Sequence, residues 1–114
     1  MLSFPSAVKI YLCPEPADMR RSFDGLVMMV NTIIRQDPLS GHLFVFVNRK
    51  GDRLKLLYWD RDGLAIWYKR LEKGVFSLPT RDDSHLITHR QLSMILEGIE
   101  YRDVRLKRRF QLKI

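Results

Sequence analysis

Hydrophobic residues are concentrated in three runs between residues 42 and 76, and short polar segments that end in glycine separate these runs. The first polar segment is NRKG at residues 48–51, and the second is DRDG at residues 60–63. Both are typical of tight turns, since glycine adopts positive φ at low steric cost and Asn and Asp tolerate similar geometry. The alternation of apolar runs and turns therefore predicts an antiparallel meander, which we take as the scaffold of the fold.

The sequence before the meander predicts one strand and one helix. Residues 8–12 (VKIYL) are rich in β-formers and are followed by two prolines, which predicts a short N-terminal strand. Apolar residues recur at helical spacing over residues 19–35, with Asp18 as the expected N-cap and the Asp-Pro pair at 37–38 as the expected end. We expect the small residue Gly25 to let this helix approach the sheet closely.

The sequence after the meander predicts a second, shorter helix. Residues 79–88 form a polar connection, and residues 89–97 carry an apolar stripe of Leu92, Ile95 and Leu96. Thr88 is the expected N-cap and Gly98 the expected C-terminal stop. The basic tail, residues 100–114, has three possible structures: an extra strand, a nucleic-acid-binding arm or a weakly ordered end. We favour the weakly ordered end.

Together these elements predict a single α+β domain over residues 1–114, with its compact core at about residues 8–99. A meander of about four to five strands, which includes the N-terminal strand, packs with two helices. Both faces of the meander strands carry apolar side chains, so both must be covered, either by the chain's own helices or by a partner. We favour the helices.

The net charge of the chain makes a polyanion a plausible partner. Twenty Lys and Arg against thirteen Asp and Glu give a net charge of +7, and the isoelectric point is about 9.9. A surplus of this size favours nucleic acid, although a solvated basic face is the ordinary alternative. The candidate nucleic-acid-binding residues form four groups: Arg20 and Arg21; Arg49, Lys50, Arg53 and Lys55; Lys69, Arg70 and Lys73; and, in the tail, Arg105, Lys107, Arg108 and Arg109.

Aromatic residues lie close to these cations along the chain. Tyr58, Trp59, Trp67 and Tyr68 are able to stack on unpaired bases if their rings are exposed. Core positions are the ordinary alternative, and for Trp59 and Trp67 we favour the core.

The sequence offers little support for catalysis. It contains no GxSxG, Walker A or GxGxxG pattern, its three histidines form no HExxH zinc motif, and Cys13 is its single cysteine. Asp52, Asp60 and Asp62, with Asp18 and Asp24, leave a Mg²⁺-dependent nuclease as the weakest alternative, since each also has an ordinary use in a turn or cap. We therefore expect no catalytic residue, no metal and no cofactor.

Three features of the sequence indicate the cellular compartment of the protein. No apolar run approaches the length needed to span a bilayer, and the N-terminus lacks the features of a secretory signal. A lone cysteine forms no internal disulfide. We expect a cytoplasmic protein that does not bind membranes.

Two stretches carry a resemblance to a known family. DMRRSFDGL at 18–26 and GHLFVFVNRKGDRLKLLYWDRDGLAIWYKRLEKGVF at 41–76 closely resemble TnpB-type accessory proteins, the products of the second open reading frame in bacterial insertion-sequence family sixty-six. The resemblance runs from about Lys9 to Phe76 and continues more weakly through residues 87–99. It departs from the family pattern at Val47, where Arg is common, and at Arg61, where Gly is common.

The resemblance implies a role in transposition of a mobile genetic element, in which a separate transposase carries out the strand transfer. The leading hypothesis is a non-catalytic accessory protein that binds transposon-end DNA, or the transposase–DNA complex, through its basic turns and tail. The alternative is a protein–protein adaptor that docks the element-encoded transposase with its apolar sheet. The oligomeric state stays open.

Overall fold

A mixed sheet of five strands forms the centre of the part of the chain that the structure describes. The computed structural model describes residues 4–80 and 82–98. The elements of these ranges in chain order are β1 (Ile10–Leu12), α1 (Phe23–Met29), a π-helical continuation of α1 (Val30–Ile34), β2 (Leu43–Val47), β3 (Arg53–Asp60), β4 (Gly63–Arg70), β5 (Leu86–Ile87) and α2 (His89–Glu97). The strand order is β4-β3-β2-β1-β5.

The meander is present as predicted, since β2 pairs with β3 and β3 with β4, both antiparallel. The N-terminal strand β1 extends this sheet, but it pairs with β2 in parallel. A parallel pair requires a crossover connection, which in this fold is α1 and its π-helical continuation. The predicted α+β class is therefore confirmed, with one parallel pair in a sheet that is otherwise antiparallel.

Each face of the sheet is covered by one of the two helices. Alternate residues of a strand point to opposite faces, so Phe44 packs on the side of α1, whereas Val45 packs on the side of α2. The buried cluster on the α1 side includes Tyr11, Leu26, Met29, Val30, Phe44, Phe46 and Leu57. The cluster on the α2 side includes Ile10, Val45, Leu56, Phe76, Leu92 and Ile95. The expected coverage of both faces by the chain's own helices is thus observed.

The first helix differs from its prediction at its start. It begins at Phe23 rather than at residue 19, and Ser22 stands at its N-cap position without a side-chain hydrogen bond. The predicted cap, Asp18, instead accepts hydrogen bonds from the backbone nitrogen and the guanidinium of Arg20. The helix ends at Ile34, one residue before the predicted end at residue 35, and the next residue has a left-handed φ of 62°. The cap prediction is wrong because the helix begins five residues after Asp18, whose carboxylate accepts the Arg20 backbone nitrogen in a turn before the helix.

The second helix has the predicted bounds and caps. The Thr88 hydroxyl accepts a hydrogen bond from the Gln91 backbone nitrogen at 3.0 Å, and the Gln91 side chain accepts one from the Thr88 nitrogen at 2.8 Å. Gly98 ends the helix with a φ of 81°.

The polar connection before α2 contains the short strand β5, which the sequence did not predict. The predictions for residues 100–114 lie outside the described residues. Within residues 4–80 and 82–98, neither helix is long and apolar enough to cross a membrane.

Candidate nucleic-acid interface

The turn between β2 and β3 presents two cations on a hydrogen-bonded frame. The Asn48 side chain donates to an Asp52 carboxylate oxygen at 2.8 Å and accepts from the Arg53 backbone nitrogen at 3.0 Å. The hydrogen bond from Asn48 is the main cause of a lowered Asp52 pKa, to which the nearby Lys50 and Arg53 charges contribute. Arg49 and Lys50 at the tip of this turn are exposed.

The segment between β1 and α1 presents a second pair of cations. Arg20 forms a salt bridge with Asp18 at 2.6 Å, and the hydrogen bond from its side chain is the main reason that the pKa of Asp18 falls to about 2. Arg21 follows, and its guanidinium donates to the Gly25 carbonyl at 3.4 Å. A Cβ atom at Gly25 would lie 3.0 Å from the Cβ and Cγ of Arg21. Gly25 therefore accommodates the Arg21 stem rather than a close approach to the sheet, which corrects the prediction for this glycine.

Lys55 holds this segment on the sheet. Its side chain is buried, and its ammonium donates to the carbonyls of Met19 at 2.9 Å and Arg21 at 2.7 Å. The same ammonium lies 4.8 Å from the centre of the Tyr68 ring, which is close enough for a cation–π interaction. An ammonium with these partners is not available to a phosphate. The prediction of Lys55 as a nucleic-acid-binding residue is therefore corrected: Lys55 positions the segment that carries Arg20 and Arg21.

The third group of cations is divided between the two faces of the sheet. Arg70 lies directly opposite Arg53 in the β3–β4 register, on the α1 side, and pairs with Glu72 at 2.9 Å. Lys69 lies on the α2 side, half-buried, and donates to the Leu96 carbonyl at 3.3 Å. Lys69 is thus removed from the candidate surface, because its ammonium binds the end of α2.

The loop that follows β4 is tied to the β2–β3 turn. The Leu71 nitrogen donates to the Asp52 carbonyl at 2.7 Å, and the Phe76 nitrogen donates to the Gly51 carbonyl at 2.8 Å. Lys73 is exposed in this loop. The loop therefore lies at the end of the sheet where β2 and β4 finish and β3 begins.

A groove of about 790 Å³ lies between the β1–α1 segment and the β2–β3 turn. Its two lips carry Arg20, Arg21, Arg49, Lys50 and Arg53, together with the acids Glu15, Asp18 and Asp52. Its floor includes Met28, Met29, Thr32 and Ile33 from α1 and the π-helical continuation. We call Arg20, Arg21, Arg49, Lys50, Arg53, Arg70 and Lys73 the basic end of the sheet. The structure thus brings together residues from three of the four predicted groups, and the fourth, Arg105, Lys107, Arg108 and Arg109, lies outside the described residues.

The methionine floor was not predicted from the sequence. Met28 is 59% exposed, whereas Met29 is 6% exposed. Neither residue belongs to the apolar stripe that was predicted for the first helix. The signal that could have shown them is the adjacent pair itself, because one of two neighbouring apolar residues in a helix must lie at the margin of the face that packs on the sheet, as Met28 does.

The aromatic residues divide between core and surface. Trp67 packs against the buried cluster on the α2 side, in agreement with its predicted core position, and Trp59 is half-buried. Tyr58 contacts the ring of Phe4, with 5.3 Å between ring centroids. Tyr68 remains 46% exposed, and its hydroxyl accepts a hydrogen bond from Arg53 at 3.3 Å. Tyr68 is therefore the aromatic residue of this set that lies beside the basic end.

Of the aspartates considered for a nuclease, Asp60 and Asp62 lie far from Asp52. Asp52 precedes β3, whereas Asp60 ends it and Asp62 follows, so the two turns are separated by the length of an eight-residue strand. At a rise of about 3.4 Å per residue that separation is roughly 24 Å. Across residues 4–80 and 82–98, no three His, Cys, Asp or Glu side chains are grouped so that they could hold a metal ion. The described carboxylates therefore give the nuclease hypothesis no site.

The fold and this surface define a small α+β protein with a candidate polyanion-binding groove. Its sequence matches the family described as IS66 Orf2 like protein over residues 8–106, and the chain belongs to this family of insertion-sequence accessory proteins. The resemblance found in the sequence is thus confirmed, and the family places the protein in the biology of transposition and mobile elements.

Two relatives come from Sinorhizobium fredii (strain NBRC 101917 / NGR234). The uncharacterized protein y4jC is 32% identical over 108 residues, which cover 94% of this chain and 92% of y4jC. The uncharacterized protein y4hO is 35% identical over 103 residues, which cover 90% of each chain. No solved structure matches this chain.

Proposed function

We propose that this protein is a non-catalytic accessory protein of transposition that binds DNA at the end of its insertion sequence through the basic end of the sheet. The observation that carries the proposal is the convergence of cations distant in sequence on one end of the fold. Arg20 and Arg21, Arg49 and Lys50 line one groove, although the two pairs are separated by α1 and β2. Clustered cations of this kind are the usual footprint of a phosphate-binding surface.

The position of Arg53 directly opposite Arg70 supports an anionic ligand. The two residues lie directly opposite each other in an antiparallel pair and on the same face of the sheet. Their Cβ atoms are therefore about 4.5–5.5 Å apart, and like charges at this spacing are unfavourable. Glu72 and the Tyr68 hydroxyl provide partial compensation. A phosphate between the two guanidinium groups would relieve the remaining repulsion.

The existing ion pairs leave the basic end open to phosphate. Among the described residues the salt bridges are Arg20 with Asp18 and Arg70 with Glu72, and both have exposed side chains. Ion pairs with exposed side chains contribute little to stability, so phosphates are able to replace them. Arg21, Arg49 and Lys50 form no salt bridge with any residue in the described ranges.

The basic tail extends the proposal beyond the described residues. Residues 99–114 contain six Lys and Arg against two Asp and Glu, so they carry more than half of the net charge of +7. We propose that Arg105, Lys107, Arg108 and Arg109 add phosphate contacts to those of the basic end. Removal of residues 99–114 should therefore make binding to duplex DNA weaker and less dependent on salt.

Charge reversal tests the proposal with a matched control. Arg49→Glu with Lys50→Glu changes the net charge by −4 at the basic end, and Arg61→Glu with Arg90→Glu makes the same change at exposed positions elsewhere. Fluorescence anisotropy with a labelled duplex from the element's end should be measured between about 50 mM and about 200 mM salt. The first pair should weaken binding and reduce the slope of log K against log salt by about 1.8, or about 0.9 for each lost phosphate contact.

The control pair should leave affinity and slope close to those of the unmodified protein. All four substitutions are at exposed positions, so each should change the free energy of unfolding by no more than about 0.5 kcal/mol. Equal losses in the two pairs would show that binding depends on total charge and not on the basic end. Unchanged binding in the first pair would refute the proposed surface directly.

An adaptor for the transposase is the second candidate, and the edge of the sheet is the observation that favours it. The apolar faces of the sheet are covered by α1 and α2, so they do not supply the docking surface that the sequence suggested. The eight-residue strand β4, however, lies at the edge of the sheet and pairs with β3 alone among the described strands. An edge of this length is able to accept a strand from another protein.

Co-purification separates the adaptor from the DNA-binding protein. A complex with the transposase that survives nuclease treatment would support the adaptor role. A complex that disappears on nuclease treatment would show that DNA holds the two proteins together. In that case the adaptor role would be rejected.

A further inference from the structure

We infer that the groove binds unpaired nucleotides, so that the protein recognises a DNA end or junction with a single-stranded segment in preference to a continuous duplex. This inference rests on the proposed DNA-binding function and specifies the form of DNA that the basic end takes. It follows from the shape of the groove, from the distribution of charge and apolar surface within it, and from the way its lips are held.

The groove is concave, with a volume of about 790 Å³ between two lips. Pockets of about 300–1,000 Å³ take ligands of the size of a nucleotide or two. A continuous duplex is too wide to enter such a space and would contact the lips alone. A single strand is narrow enough to lie between the lips with its bases toward the floor.

The lips of the groove carry five cations against three acids, and its floor is mainly apolar, which fits a ligand with phosphates on one side and bases on the other. Arg21, Arg49 and Lys50 on the lips are suited to the phosphates of a strand. Met28 and Ile33 on the floor offer apolar contact to the flat faces of bases, and methionine sulfur packs favourably against aromatic rings. In a duplex these base faces are stacked on one another, so the floor would have no ligand group to contact.

Tyr68 offers a further contact where the strand leaves the groove. It is 46% exposed and accepts a hydrogen bond from Arg53, which lines the groove. Exposed aromatic rings next to cations are the usual stacking platforms of proteins that bind single strands. The Lys55 ammonium lies 4.8 Å from the centre of this ring, and this cation–π contact favours the observed position of the ring.

Both lips are held in place by hydrogen bonds within the protein. Lys55 fixes the carbonyls of Met19 and Arg21 on one lip, and Asn48 fixes the turn on the other through Asp52 and Arg53. A site whose lips are already ordered loses less conformational entropy when a ligand binds. The groove is therefore suited to bind an unpaired strand without a large rearrangement.

Three DNA probes of one sequence test the inference by fluorescence anisotropy. They are a blunt duplex from the element's end, the same duplex with a short unpaired tail on one strand, and the single strand alone. We expect the tailed duplex to bind about tenfold more tightly than the blunt duplex, which corresponds to about 1.4 kcal/mol. A tail on the 3′ end and a tail on the 5′ end should be compared, because the tighter of the two shows in which direction the strand lies in the groove.

Met28→Ala tests the floor without removing a charge. Met28 is 59% exposed, so its truncation should not unfold the protein, and Leu39→Ala is a matched control at an apolar position that is 53% exposed outside the groove. Met28→Ala should reduce the preference for the tailed duplex at least about threefold, because it removes apolar contact to the bases but leaves the phosphate contacts. Leu39→Ala should leave the preference unchanged.

The outcomes separate this inference from the proposed function. Equal affinity for tailed and blunt duplexes would overturn the inference and leave DNA binding intact. Absence of binding to all three probes would overturn both. If no DNA probe binds, a Glu-rich peptide with interspersed leucines should be tested on the protein and on Met28→Ala. Binding of this peptide to the protein, with loss of affinity in Met28→Ala, would identify the groove as a protein-docking site and would also overturn both.

Discussion

Replacement of Lys55 by methionine should reveal whether one buried ammonium holds the basic end together. Methionine keeps most of the apolar stem but removes the charge that donates to the carbonyls of Met19 and Arg21. Each hydrogen bond to a charged group contributes about 1.5–3 kcal/mol, and the desolvation of the ammonium offsets part of that gain. We expect Lys55→Met to lower the free energy of unfolding by about 2–3 kcal/mol.

Urea denaturation followed by circular dichroism measures this loss. The midpoint should fall while the m-value stays constant, since the substitution changes stability rather than the surface exposed on unfolding. In a thermal scan, about 4 °C per kcal/mol predicts a Tm lower by about 8–12 °C. Affinity for duplex DNA should fall as well, because the segment that carries Arg20 and Arg21 loses its attachment to the sheet.

Lys50→Met is the matched control for this substitution. Lys50 is exposed in the β2–β3 turn, five residues away, so its replacement should change the free energy of unfolding by no more than about 0.5 kcal/mol. It should nevertheless weaken DNA binding by the loss of one phosphate contact. A Lys55→Met protein as stable as the Lys50→Met protein would refute the positioning role assigned to Lys55.

Three further experiments test the turn, the ion pair and the helix cap. Arg61→Gly should raise the free energy of unfolding by about 0.5–1 kcal/mol in urea denaturation, because Arg61 has a φ of 56° that glycine adopts without strain. An NMR titration should place the pKa of Asp18 at about 2, and Arg20→Gln should raise it. Because the folded pKa lies below the unfolded value of about 3.9, the stability that this carboxylate contributes is present above that pH and is lost as the pH falls toward 2. Thr88→Ala should cost about 1 kcal/mol through loss of the capping box with Gln91, whereas Thr88→Ser should retain most of it.

The sequence predicted the elements whose signals are local. The turns at residues 48–51 and 60–63 specify their hairpins through a few adjacent residues, and both hairpins are present. The caps of α2 likewise depend only on residues at the two ends of that helix, so Thr88 and Gly98 were predicted correctly. Local hydrogen bonding and backbone geometry are enough to decide such features.

The features that the sequence did not predict depend on contacts between distant residues. Nothing near β1 or β2 shows that they pair in parallel, or that Leu86–Ile87 adds a strand beside β1. Lys55 looked like another member of a basic turn, because its partners are 34 and 36 residues away in the chain. The start of the first helix was misplaced by four residues, because Lys55 binds the carbonyls of the segment before Phe23 and holds it on the sheet.

Chemical-shift mapping tests most directly whether the basic end binds DNA. Backbone amide resonances of the ¹⁵N-labelled protein should be followed as a duplex from the element's end, with an unpaired tail, is added. Perturbations should concentrate in the segment before α1, in the β2–β3 turn and in the loop after β4, and the Arg61 turn should be unaffected. Perturbations centred on Arg61 or on α2, with none at Arg49 and Lys50, would contradict the account.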